Sequence, residues 1–92
     1  MTINEFDTVA LVVPVAADRL FPSELPEGEG LCRGEEGVIV DAAHAPAIYT
    51  VEFFRNGKTA AIADIRPDEM RLVRRHRPSD FTRREDARAS AD

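Results

Sequence analysis

Apolar and polar side chains alternate most cleanly over "AIYTVEFF", residues 47–54. Tyr49, Val51 and Phe53 fall on one side, Thr50 and Glu52 on the other. Asn56-Gly57 follows at once. A two-residue type I′ turn needs positive φ at both central positions, so this dipeptide predicts a hairpin returning along "KTAAIADI", residues 58–65. Upstream, "FDTVALVV", residues 6–13, is β-branched and apolar, with Val9, Leu11 and Val13 on one face. It reads as a first strand. "GVIVDAA", residues 37–43, reads as a second, entered between Gly34 and Gly37 and left through the turn "HAP". "RPDE" predicts a single turn opened by Pro67, and "MRLVR", residues 70–74, a short last strand.

Between the first two strands lies "PVAADRLFPSELPEGEGLCRG", residues 14–34, with three prolines and three glycines. It reads as a long loop with at most a helical turn at "DRLF". A loop of that length in so small a domain implies a function or some structure of its own. Five strands in this order predict an all-β fold: a small, half-open five-stranded SH3-like barrel over residues 1–73 with a long first loop. Beyond Val73 the alternation stops. Residues 74–92 read as an arginine-rich, flexible C-terminal tail with Phe81 as its one sizeable anchor.

Composition narrows the function classes. Of the 92 residues 43% are apolar and 32% charged, which is soluble globular material. The longest apolar run, Val9 to Ala17, is interrupted by Pro14 and far below the roughly 20 residues of a membrane span. The acidic "MTINEFD" before it does not resemble a signal peptide, and the lone Cys32 excludes an internal disulfide, so a cytoplasmic setting is expected. Net charge is −5, unevenly spread: −7 over residues 1–73 and +2 over residues 74–92. An acidic body repels phosphate backbones, whereas the tail could attract an acidic surface.

Candidate chemistry is sparse. Arg33-Gly34-x-x-Gly37 has the look of a phosphate loop, but such loops feed a helix N-terminus; this one feeds a strand beside Glu35 and Glu36. It reads as a structural corner. Cys32 next to Arg33 would favour thiolate, yet no base is placed near it by sequence. His44, near Asp41, reads as a surface loop residue, and two histidines with one cysteine do not make a metal site. Glu24, Glu27 and Glu29, with Glu35 and Glu36 nearby, read as a solvated acidic face, or else as a dock for a basic partner. With no Trp and one Tyr, a proline-peptide groove lacks its aromatic lining. No catalytic residue and no cofactor is called for.

The string "FDTVAL…L-x-RG-x-x-GVIV…YTVEFF-x-NGKT…L" resembles a bacterial family of small SH3-like barrels of unknown function. It matches at Val9-Ala10-Leu11, Gly34, Gly37-Val38 and Tyr49-Thr50-Val51-Glu52-Phe53, over about residues 6–73. More loosely, Arg33 to Phe53 is similar to the SH3-like domain of nitrile hydratase β subunits and their small accessory relatives. That likeness implies a partner-binding role beside a metal-bearing subunit, whose thiol-rich motif has no counterpart here.

The expected function is therefore a non-catalytic module that binds another protein, such as an enzyme subunit it accompanies. Its contact surface would comprise the first loop, with Phe21 and Leu25, and the tail, with Arg74, Arg75, Arg77 and Phe81. Phe21 and Leu25 either tuck beneath the barrel or stand exposed. The alternative is a nucleic-acid-associated module working through the tail arginines; a small enzyme subunit using Cys32 or His44 is a third. A homodimer through a strand edge is compatible with each.

Overall fold

The computed structural model describes residues 3–77. Six antiparallel strands form one sheet: β1 (Thr8–Leu11), β2 (Leu20–Ser23), β3 (Glu36–Asp41), β4 (Tyr49–Arg55), β5 (Lys58–Ile65) and β6 (Met70–Arg74), in spatial order β2-β5-β4-β3-β1-β6. Single 3₁₀ turns, Ala17–Arg19 and Pro67–Glu69, precede β2 and β6. Two X–Pro bonds, Phe21–Pro22 and Ala45–Pro46, are cis. The all-β class and the strands 58–65 and 70–74 agree with the sequence pattern, and Asn56 and Gly57 both take positive φ, at 54° and 76°.

Two expectations need correction. There are six strands, not five, because the first loop contains a strand as well as a helical turn, at Ala17–Arg19 beside the expected "DRLF". Val15 bridges Leu31, and Leu20 and Ser23 lay a further strand on β5, opposite Ala63 and Ala61. The sheet also does not close into a barrel. β2 occupies the side of β5 that closure of a five-stranded ring would use, and Pro22 offers no N–H to a further neighbour.

The first strand is shorter than its apolar run. Phe6 sits at φ 71° in a turn where the Asp7 amide donates to the Asn4 carbonyl, so pairing starts at Thr8. Residues 42–48 form the β3–β4 connection, and β4 begins at Tyr49.

A single sheet is stable only if one face is covered. Here register shifts at Thr8/Val9, Ile39/Asp41 and Phe53/Phe54 add bend and twist. The inward residues of the strands (Val9, Leu11, Ile39, Tyr49, Val51, Phe53, Ala61, Ala63, Ile65, Met70) form one cluster. The connections supply the rest of the cover through Ile3, Val15 and Leu31, so the first loop is part of the core.

The Arg33-Gly34-x-x-Gly37 corner is structural. Gly34 stands at φ 93° and donates its amide to Leu11, and a Cβ on Gly37 would lie 2.7 Å from both the Glu52 carbonyl and Val51 Cγ1. No helix of the described residues is long and apolar enough to cross a membrane.

Candidate interaction surface

Three polar anchors hold the ends and loops of the sheet, and none was read from the sequence. Asp7, 1% exposed, accepts the amides of Asn4 (2.8 Å) and His76 (2.6 Å), with Arg75 at 3.6 Å. Arg55, at the end of β4, grips Glu35 with two 2.8 Å bonds and also pairs with Glu29. Glu35 in turn accepts the Cys32 amide at 2.6 Å, so Arg55 straps the loop to the hairpin and draws the Glu35 carboxyl below its usual range. Arg19, just before β2, makes a bidentate pair with Glu69 (2.6 and 2.8 Å) and donates to the Asp64 carbonyl at 3.0 Å. Glu69 is 5% exposed and also accepts the Arg66 amide. The Arg19 bonds outweigh the burial and lower its pKa to about 2.

These anchors revise the reading of the carboxylates as a solvated face. Glu35 and the exposed Glu29 both pair with Arg55, whereas Glu24, Glu27 and Glu36 fit that reading as exposed side chains.

Phe21 is the most exposed large apolar side chain of the described residues, at 89%, followed by Phe6 at 50%. The register explains why. Leu20 pairs Ala63 and Ser23 pairs Ala61, so two residues, Phe21 and Pro22, oppose the single Ile62. That extra residue is a β-bulge on an edge strand, the arrangement that re-aims a side chain out of the alternation. Proline suits it because an edge strand can spare the amide.

Beside Phe21 an open concavity of about 560 Å³ runs along the outer face of the sheet. Half-buried Ile48, Thr50 and Ile62 line it, with Arg19, Asp64 and Arg66 around them. Thr50 and Asp64 are directly opposite in the β4–β5 pair and share a 2.8 Å hydrogen bond.

The other expected contact residues are scattered. Leu25, left open from the sequence together with Phe21, is half-buried against the core and not displayed. Arg74 ends β6, on the edge of the sheet opposite β2, and Arg75 and Arg77 follow it, all three exposed. Phe81 lies outside the described residues. Among the described residues, Phe21 stands on the β2 edge strand, and Arg74, Arg75 and Arg77 lie on and beyond the β6 edge strand.

Cys32 and His44 are both exposed, and no hydrogen bond or ion pair among the described residues involves the Cys32 thiol or the His44 ring. Among the same residues, no three His, Cys, Asp or Glu side chains are grouped to hold a metal ion.

A family model described as "Domain of unknown function (DUF4926)" matches residues 5–72, which contain all six strands but the last two residues of β6. Neither the curated proteins nor the solved structures gave a match.

Proposed function

Because the chain belongs to the DUF4926 family, whose name assigns no activity, we propose its function from the surface: it is a non-catalytic protein-binding module that recognises its partner at the Phe21 edge. One observation carries this reading. A phenylalanine is held 89% exposed on a proline-containing edge bulge, beside a groove lined in part by Ile48 and Ile62. Phenylalanine is among the aromatic residues enriched in the cores of protein interfaces. A bulge fixed on a sheet presents its side chain with little entropy left to lose on binding.

The SH3-like comparison also belongs to this proposal. The order β6-β1-β3-β4-β5, with a 3₁₀ turn before the last strand, supports an SH3-like connectivity to which β2 is an addition. The looser likeness to nitrile hydratase β subunits and their accessory proteins extends it to an accessory role beside an enzyme subunit. Cytoplasmic residence fits the same picture.

The experiment is a comparison of proteins that co-purify with the full chain and with Phe21→Ser from the same cells. The proposal expects at least one stoichiometric partner with the wild type, lost with the variant while its circular dichroism is unchanged. Equal recovery by both chains would contradict it.

A further inference from the structure

Resting on that reading, we propose that the groove beside Phe21 receives a lysine or arginine side chain from a polypeptide partner, with Asp64 as its counter-ion. The charges around the groove are not equivalent. Arg19 has its Nη1 and Nη2 committed to Glu69 and to the Asp64 carbonyl. Arg66 lies 3.5 Å from Asp68 and 3.7 Å from Glu69. The Asp64 carboxylate, by contrast, accepts one neutral hydrogen bond, from Thr50, and has no cation within ion-pair distance among the described residues. It is the unbalanced charge on the wall of the groove.

Besides Thr50 and the two arginines, the groove around Asp64 is lined by apolar side chains. Ile62 precedes it by two residues on the same outer face of β5, and Ile48, Ala63 and Phe21 are the other apolar members of the lining. A ligand that fits this order has an aliphatic stem and a cationic head, which describes lysine and arginine side chains. The stem would lie along Ile48 and Ile62, the head would meet Asp64, and the Phe21 ring would offer its negative face to the same cation. A carboxylate would instead approach Asp64 with the two flanking arginines already engaged. The net charge of −5 favours a basic partner at long range as well.

The test pans a random dodecapeptide phage library against the full chain, then measures selected peptides by calorimetry on wild type, Asp64→Asn and Phe21→Ser. Asp64→Asn keeps an acceptor for Thr50 while removing the charge. The proposal expects peptides with Lys or Arg beside apolar residues, about tenfold weaker on Asp64→Asn. Peptides lacking basic residues, or equally tight on Asp64→Asn but weakened by Phe21→Ser, would overturn the Asp64 assignment and leave the Phe21 surface standing. Recovery of no binder, or of binders indifferent to both variants, would overturn both.

Discussion

Gly37 and Glu69 carry more of the structure than their neighbours in sequence indicate. A methyl group on Gly37 would meet the backbone of Glu52 and the side chains of Val51 and Phe53 at once. Gly37→Ala is therefore expected to destabilise the fold by about 2 kcal/mol, measured by urea unfolding. Glu69, together with Glu35, contributes to the acid limb of stability. Its folded pKa of about 2 lies below the ordinary carboxylate value, so its contribution is complete above roughly pH 4.5 and is lost as pH falls towards 2. The size is up to about 3 kcal/mol, reduced because Arg19 is 37% exposed and partly screened. Glu69→Gln should lower stability at neutral pH and flatten the decline between pH 4.5 and 2. An unchanged acid limb would rule out a contribution from the Arg19–Glu69 pair. At this scale Asn56-Gly57 was legible because a turn type demands it. The distant pairs of Asp7 and Glu69 were not, since His76 and Arg19 lie 69 and 50 positions away and local pattern carries no trace of them.

Strand β2 separates what local pattern reports from what packing decides. β4 and β5 were readable because one face is buried and alternation is the only pattern that achieves it. β2 was read as loop because residues 14–34 hold three prolines and three glycines, yet an edge bulge tolerates the proline it contains, Pro22. If the bulge only displays Phe21, then Phe21→Ser should change unfolding free energy by less than about 0.5 kcal/mol. A larger loss would mean that the ring packs on the body of the protein. The loop strap has its own test. Arg55→Met should speed hydrogen exchange at the Leu31 and Cys32 amides by about tenfold, with β4 and β5 protection retained. Uniform acceleration would show that Arg55 supports the whole sheet.

Taken whole, the molecule is an acidic sheet with two differently guarded edges. Pro22 and its bulge blunt β2, while Arg71 and Arg74 charge β6, both established ways to discourage strand addition. The expected class, all-β with one core, came through from periodicity alone. Closure did not, because it depends on where a proline-rich connection settles, which alternation cannot report. The charge distribution bears on the nucleic-acid alternative. With −7 over residues 1–73, labelled single-stranded RNA titrated at about 50 mM salt should give a flat response. Tight, steeply salt-sensitive binding would move the function to the arginines at the β6 end.

The most direct measurement places a photo-crosslinking amino acid at position 21 and, in a parallel chain, at position 36, an exposed site on β3 three strands away. On irradiation in the source cells, the account predicts a discrete crosslinked species from position 21 and none from position 36. Equal crosslinking at both positions, or none at position 21, would contradict it.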